Sequence, residues 1–241
     1  MIVAGIDGCK QGWIMIKYDQ RNYSFGLYDY IEPLIEAHPD LQRILIDMPI
    51  GLSSLSHPRT IEQKLRKELI PRQATVFNPP CRAALTAENY EAAKVKNIAV
   101  EGKSLSIQSY FIQAKIKEID EFLVHKSPQL EMRESHPEFC FKYLNVGEKV
   151  VVSKKATAAG AQERLALLKI YDPRLEKLYH DILEKTLRKQ VKKDDILDAM
   201  CLVLVNQLAG KTQLQYLQDE NSEDERKLSI GIAYYRAPTE Y

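Results

Sequence analysis

The order of strand and helix patterns is the feature that most restricts the fold of this chain. Three short segments with strand character come first, at residues 2–7, 13–18 and 23–28, and tight turns join them. Short turns of this kind connect antiparallel neighbours. The next strand pattern, at residues 43–47, is apolar from Ile44 to Ile46, which is typical of a strand buried on both faces.

Helical periodicity separates the strand patterns in the rest of the chain. One further strand pattern lies at residues 130–135. The helical patterns lie at residues 31–37, 107–123, 137–143, 155–170, 173–187 and 194–208. An antiparallel start followed by strands that alternate with helices predicts an α/β fold, with a mixed five-stranded sheet flanked by helices.

The segment after the fourth strand has no single period. Residues 53–104 contain four prolines, and we predict a large, partly helical insertion that caps a single domain of residues 1–241. No linker divides the chain. Residues 219–226 are strongly charged and are predicted to form a loop, which is followed by a short apolar run at residues 228–234.

The composition is that of an ordinary globular protein, with 45% apolar and 28% charged residues. The net charge of +1 neither indicates nor excludes a nucleic-acid partner, since a local basic patch is compatible with it. The four cysteines form no CxxC pair and are predicted to be free thiols. Without an apolar run of 18 residues or a signal peptide, we expect a cytoplasmic protein with no membrane partner. The oligomeric state stays open, a homodimer included.

Acidic residues end several of the predicted strands. Asp7 ends the first, Asp47 the fourth, and Glu134 lies near the end of the fifth. Ligands of open sheets bind outside the carboxyl ends of parallel strands, so these acids are expected to converge there. The last helix adds Asp195 and Asp198, which share one face. Clustered carboxylates repel one another unless a cation neutralises them, and Mg²⁺ or Mn²⁺ prefers such oxygen ligands.

Each acid also has a structural interpretation. Asp7 could be a turn residue, Glu134 could pair with a neighbouring cation, and Asp195 could stabilise a helix start. Asp47 is harder to explain in this way because it ends an otherwise apolar strand. Asp198 lies one turn inside its helix, among apolar residues.

Four segments of the chain carry a family resemblance. They are residues 5–13 (GIDGCKQGW), 46–52 (IDMPIGL), 134–141 (ESHPEFCF) and 194–199 (DDILDA). They resemble an uncharacterised bacterial and archaeal family of predicted RNase H-like nucleases, and the last is also similar to the end of RuvC-type Holliday-junction resolvases. The resemblance implies a ribonuclease H-like fold, in which strands one to three are antiparallel and acids lie on strands one and four and on the last helix.

A basic segment follows the fourth strand. Residues 57–82 contain six basic residues against two acids, and arginine binds phosphate in a bidentate manner. The candidates for substrate binding are Lys10, Arg59, Arg66, Arg72 and Arg82. The solvated face of a helix is the alternative for this segment. The family has a similar arginine and Val-Phe-x-Pro-Pro pattern here, and the resemblance implies that the segment lines the site.

Other polar groups are weaker candidates. His136 could orient a nucleophilic water or protonate a leaving group, or it could hold the strand-to-helix turn by hydrogen bonds. Lys192 and Lys193 could contact phosphate, although a solvated turn is the simpler interpretation. Residues 154–160 could hold an anion at a helix start.

Our first hypothesis is a nuclease that depends on Mg²⁺ or Mn²⁺ and hydrolyses phosphodiester bonds of nucleic acid. Its predicted metal ligands are Asp7, Asp47, Glu134, Asp195 and Asp198, with His136 as a further catalytic candidate. A second hypothesis is nucleotide phosphate binding, as in actin-like and sugar-kinase proteins, although 241 residues cannot hold their duplicated domain. A third is a non-catalytic domain that binds nucleic acid or protein.

Overall fold

The structure is a computed structural model that describes residues 1–126 and 130–238. Its main sheet has five strands in the order β3-β2-β1-β4-β5. The strands are β1 (Val3–Gly8), β2 (Trp13–Tyr18), β3 (Tyr23–Tyr28), β4 (Arg43–Ile46) and β5 (Glu131–Glu134). Strands β1 to β3 pair antiparallel, whereas β4 is parallel to both β1 and β5. The predicted mixed five-stranded sheet, with its antiparallel start, is confirmed.

Helices follow the sheet strands along the chain, with one group between β4 and β5. The helices are α1 (Ile31–Glu36), α2 (Ile61–Glu68), α3 (Tyr90–Glu101), α4 (Ile107–Phe111), α5 (Gln113–Lys126), α6 (Pro137–Leu144), α7 (Ala158–Tyr171), α8 (Arg174–Lys185) and α9 (Lys193–Ala209). Short 3-10 turns lie at Gln73–Thr75, Arg82–Thr86 and Val146–Glu148. A second sheet contains β6 (Gln215–Glu223) and β7 (Ser229–Tyr234).

Two predicted elements differ from the structure. The single helix predicted at residues 107–123 is two helices, α4 and α5, which meet at Ile112. A break of one residue hardly disturbs the apolar spacing, so periodicity could not reveal it. The loop predicted at residues 219–226 is wrong as far as Glu223, because β6 continues to that residue. The Asp219 carboxylate is buried there and accepts hydrogen bonds from Thr60 and from the backbone of Ile61.

The chain forms two compact units. The sheet unit comprises Met1–Asp47, Gln129–Tyr216 and Ala233–Tyr241, and the second unit comprises Met48–Pro128 and Leu217–Ile232. The predicted insertion at residues 53–104 lies within the second unit. Every residue of the main sheet and of α6 to α9 lies within the sheet unit.

Helix α9 packs directly on β1 in the core of the sheet unit. It is buried along most of its length, from Ile196 to Asn206. Gly5 permits the close approach, because a Cβ at this position would lie 2.3 Å from both the Ala199 carbonyl oxygen and the Val203 nitrogen. The glycine therefore sets the distance between the helix and the strand.

A buried polar contact fixes the position of α9 along the strands. The Asn206 side chain donates to the carbonyl oxygens of Ala4, at 2.9 Å, and Arg43, at 3.1 Å. Arg43 donates in return to Asn206 Oδ1 at 2.6 Å and to the carbonyl oxygen of Gly210 at 2.7 Å. Buried polar groups require such partners, so a slip of the helix along the sheet would leave several of them unpaired.

The four cysteines, Cys9, Cys81, Cys140 and Cys201, are buried free thiols, as predicted. Among the helices of the described residues, none has the length and apolar character that a membrane crossing requires.

Candidate metal centre

Asp7 and Asp47 lie side by side at the carboxyl ends of two parallel strands. The register pairs Ile6 of β1 with Ile46 of β4, so the next residue on each strand is an aspartate. The Asp47 backbone N–H donates to the Ile6 carbonyl oxygen at 3.0 Å, which extends the ladder to this level. Side chains level with each other on neighbouring strands share a face, and the two carboxylates therefore meet.

Asp198 of α9 completes a group of three carboxylates. One oxygen from each of Asp7, Asp47 and Asp198 lies within 4.8 Å of the others. Asp198 belongs to the helix face that packs on β1, one residue before Ala199, which approaches Gly5. The close packing at Gly5 is therefore what brings the Asp198 carboxylate to the ends of the strands.

Burial is the largest cause of the raised pKa values of all three carboxylates. Burial raises the pKa of Asp7 well above its usual range, and the charges of Asp47 and Asp198 raise it further. Burial and the Asp198 charge raise the pKa of Asp47 to about 8. Burial raises the pKa of Asp198 to about 6, although the Lys155 ammonium opposes this. Burial and neighbouring charges therefore oppose the ionised forms of these acids.

The residues present fit a hard divalent cation. Asp198 is 1% exposed, and its Oδ1 atom has no hydrogen-bond partner among the described residues. A buried carboxylate oxygen in that state is unfavourable unless a cation or water satisfies it. The donors are all carboxylate oxygens, the ligand type that Mg²⁺ and Mn²⁺ prefer. Asp7, Asp47 and Asp198 could together hold such an ion.

Lys155 is a member of the site that the sequence did not single out as a partner of the acids. Its Nζ atom donates to Asp198 Oδ2 at 2.6 Å. The Asp198 charge raises the pKa of Lys155, so the ammonium form is favoured. Thr157 holds the preceding turn, since its hydroxyl donates to the Lys154 carbonyl oxygen and accepts from Gly160 N–H. That N–H, proposed from the sequence as part of an anion site at residues 154–160, is thus already bonded.

Glu134 lies close to the group but outside it. The register places Glu134 of β5 level with Ile46, one residue before the level of Asp47. Side chains alternate along a strand, so the Glu134 side chain leaves the opposite face of the sheet. Glu134 is buried, and its charge contributes to the raised pKa of Asp47. Asp7 and Asp47 converge as expected, and the role of Glu134 as a metal ligand stays a prediction.

Asp195 stabilises the start of α9. Its Oδ2 atom accepts the backbone N–H of Lys192 at 3.0 Å. A carboxylate in this position satisfies one of the free donors of a helix start and interacts favourably with the helix dipole. Burial raises the pKa of Asp195. Asp195 is not one of the three carboxylates that lie within 4.8 Å, and the capping interpretation describes its contact.

His136 links β5 to α6 and is neutral in its surroundings. Burial and the nearby Lys155 charge lower its pKa to about 3. Its Nδ1 atom is buried without a hydrogen-bond partner among the described residues, and its side chain makes no capping bond to α6. The Nδ1 atom therefore contributes no hydrogen bond to the turn. A neutral imidazole can orient a water but is a poor acid at physiological pH.

A buried ion pair supports this side of the site. Arg164 of α7 donates to both carboxylate oxygens of Glu138 on α6, at 2.8 and 2.7 Å. Arg164 is fully buried and also donates to the Gly160 carbonyl oxygen. The pair ties α7 to α6 and holds the start of α7 next to the turn that carries Lys155. The sequence offered no signal that would have paired these two residues.

Most arginines of the predicted basic segment, residues 57–82, form contacts inside the second unit. Arg59 is buried and donates to Glu62 at 2.8 Å and to the carbonyl oxygens of Ile50 and Gly51. Arg82 is buried between Asp120 and Asp224.

The remaining candidates of that set have different surroundings. Arg66 donates to the Val76 carbonyl oxygen and to Asn78, and Arg72 is half-buried. Lys10 of the sheet unit is exposed beside a cavity of that unit.

The chain belongs to the family described as "Protein of unknown function (DUF429)", whose family model matches residues 5–222. The matched range contains all three carboxylates and Lys155, and the family description names no activity. No curated protein and no solved structure matches the chain significantly.

Proposed function

We propose that this member of the DUF429 family is a divalent-metal-dependent nuclease with a ribonuclease H-like fold. The observation that carries the proposal is the group of three carboxylates, whose oxygens lie within 4.8 Å of one another. Uncompensated acids in a partly buried group are unfavourable, because buried charges in proteins are paired or coordinate metals. Asp7, Asp47 and Asp198 would hold Mg²⁺ or Mn²⁺.

The topology supports the ribonuclease H-like part of the proposal. The sheet order β3-β2-β1-β4-β5 has an antiparallel first half and a parallel second half. The acids lie at the carboxyl end of β1, directly after β4 and on helix α9. Both features agree with what the resemblance to RNase H-like nucleases implies.

The residues of the site would have different roles in the reaction. When bound, divalent ions lower the pKa of water and stabilise charge on phosphate oxygens. Lys155 lies beside the carboxylates, and its ammonium could hold a phosphate oxygen there. Neutral His136 could accept a hydrogen bond at Nδ1 and so orient a water.

The first hairpin argues against nucleotide phosphate binding. A phosphate loop needs backbone N–H groups that point at the ligand. Here Cys9 and Gly12 bond to each other's carbonyl oxygens, and Gln11 N–H donates to the Gln190 carbonyl oxygen. The Gly8 N–H lies 2.6 Å from Asp7 Oδ1. Four backbone donors of the turn are therefore already bonded, which favours the nuclease hypothesis over the actin-like or sugar-kinase-like alternative.

The test compares cleavage and metal binding in matched variants. Purified protein is incubated with single-stranded, duplex, hybrid and branched oligonucleotides in Mg²⁺ or Mn²⁺, and Mn²⁺ binding is measured by calorimetry. Asp7→Asn and Asp47→Asn should each abolish Mn²⁺ binding and reduce cleavage by more than the roughly 10–100-fold loss that removal of an outer-sphere partner causes. The control Asp40→Asn alters an exposed acid that pairs with Lys17 and should leave both unchanged. Absence of cleavage of every substrate in both metals would overturn the proposal.

A further inference from the structure

A basic groove lies in the sheet unit beside the three carboxylates. It encloses about 950 Å³, which is at the upper end of the range of ligand sites, roughly 300–1,000 Å³. Six cationic side chains line it: Lys10, Lys155, Arg188, Lys189, Lys192 and Lys193. Two acids, Glu176 and Asp194, also line it, and Glu176 already pairs with Lys169 at 2.6 Å.

The groove reaches the carboxylates through Lys155. Lys155 belongs to the lining, and its Nζ atom donates to Asp198 at 2.6 Å. Lys10 follows Asp7 by three residues in the first hairpin. Lys155 therefore joins the groove to the candidate metal centre within one compact unit.

Four cations of the groove are not used in ion pairs with other described residues. Arg188, Lys189, Lys192 and Lys193 are exposed and form no ion pair within the described residues. Their side chains lie around one concave surface, in the connection from α8 to α9 and on the first residue of α9. Like charges that line a concavity concentrate a positive field, which attracts an extended anion far more than scattered surface lysines do.

We propose that this groove binds the sugar–phosphate backbone of a nucleic acid and leads it to the carboxylate group. The inference rests on the proposed nuclease function and names the surface that holds its substrate. It assigns backbone binding to the sheet unit, because Arg59 and Arg82 of the second unit are buried in internal ion pairs. Lysine and arginine contacts to phosphates carry no base information, so the binding is independent of sequence and sensitive to salt.

The experiment measures binding without catalysis. Fluorescein-labelled single-stranded and duplex oligonucleotides are titrated by anisotropy in EDTA, over a series of salt concentrations. Two variants each remove two groove charges: Arg188→Gln/Lys189→Gln and Lys192→Gln/Lys193→Gln. For each variant we expect weaker binding and a salt slope reduced by about one for each phosphate that the variant no longer neutralises.

The control variant Arg21→Gln/Lys211→Gln removes two exposed charges outside the groove. Lys211 follows the carboxyl end of α9, a helix of 17 residues that spans about 25 Å, whereas Lys193 begins it. The control should retain the affinity and salt slope of the unaltered protein. Circular dichroism and thermal melts are used to check that all three variants are folded.

The outcomes separate this inference from the proposed function. Binding that depends on the groove charges, without cleavage in any metal, supports the groove and overturns the nuclease proposal. Cleavage by a protein whose groove variants bind as tightly as the control overturns the groove and leaves the nuclease proposal intact. No binding of either oligonucleotide in EDTA also overturns the groove. If polyglutamate competes as well as the oligonucleotides at equal charge, the groove is a general polyanion site and the inference is again overturned.

Discussion

Lys155 Nζ lies 2.6 Å from Asp198 Oδ2, so an ammonium group neutralises one of three clustered carboxylates. The side chain of Asp198 is 1% exposed, whereas that of Lys155 is 37% exposed. The pair joins the turn before α7 to the second turn of α9. Neither Asp7 nor Asp47 forms an ion pair within the described residues. The charge balance of the site therefore depends on this lysine and on any bound metal.

Lys155→Met should destabilise the metal-free protein. The change leaves Asp198 buried without its partner, which we expect to cost about 1–2 kcal/mol, because the half-exposed lysine is partly screened by water. Urea unfolding in EDTA measures the loss. Added Mn²⁺ should restore more stability to the variant than to the unaltered protein, since the cation takes over part of the role of the ammonium group.

Lys155→Arg is the matched control, because it retains the positive charge and should retain most of the stability in EDTA. Equal stability of Lys155→Met and the unaltered protein in EDTA would contradict the role assigned to the pair.

Asp47→Asn should stabilise the metal-free protein at high pH. Because folding raises the pKa of Asp47 from 3.8 to about 8, its favourable contribution is complete below pH 3.8 and is lost as the pH rises to about 8. Asparagine does not ionise, so the variant escapes this loss. In EDTA we expect a gain of about 1–3 kcal/mol at pH 8 and little difference near pH 4, measured by denaturant unfolding.

Asp40→Asn provides the comparison for this pH series. Lys17 lowers the pKa of Asp40, so its contribution has the opposite sign and removal should give no gain at pH 8. A pH-independent effect of Asp47→Asn would refute the prediction.

Gly5→Ala should disturb both stability and the metal centre. The new Cβ would lie 2.3 Å from backbone atoms of Ala199 and Val203, which cannot rotate away. Overpacking of this kind costs about 1–3 kcal/mol or more, and the displaced α9 would carry Asp198 away from Asp7. Thermal melts and Mn²⁺ calorimetry should therefore both report a loss.

Gly102→Ala separates the steric effect from the loss of a glycine. A Cβ at Gly102 meets no atom within 4 Å, although the φ of +67° makes alanine somewhat unfavourable there. We expect a modest loss of stability and unchanged Mn²⁺ affinity. Normal Mn²⁺ affinity in Gly5→Ala would show that the helix position does not control the site.

Arg164→Met should be strongly destabilising. The substitution leaves Glu138 buried without its ion-pair partner, and breaking such a pair costs about 3–5 kcal/mol. The double variant Arg164→Met/Glu138→Leu removes both charges and should recover much of the loss, because apolar replacements avoid the unpaired charge. A double variant no more stable than Arg164→Met would argue against this explanation.

The strands were the most predictable part of the fold. Alternation in β2 and the apolar run of β4 are local patterns, and both elements lie where those patterns predict them. Helix α9 was recognisable from its continuous apolar sequence. The charged strand β6 was not: it pairs with the neighbouring β7, and the hydrogen bonds that hold its Asp219 come from Thr60, far away in the chain.

The candidate site was predictable in part for a similar reason. Asp47 stood out because a charged residue ends an apolar strand, and the structure joins it to Asp7 and Asp198. The basic residues near Arg59 were also conspicuous, but their number could not show that the buried ones pair internally. Charge composition describes which groups a segment contains and says nothing of which partners they meet.

By itself, the sequence determined the mixed sheet, the order of its strands and helices, and the acids at the strand ends, because these follow from local periodicity. Only the tertiary structure decided which acids meet. A register of one residue separates Glu134 from the level of Asp47, and a glycine without a side chain lets Asp198 approach Asp7. Lys155 reaches the site from the turn before α7. The physical reason is the same in each case: distances between elements depend on packing, and packing depends on residues that are distant in the chain.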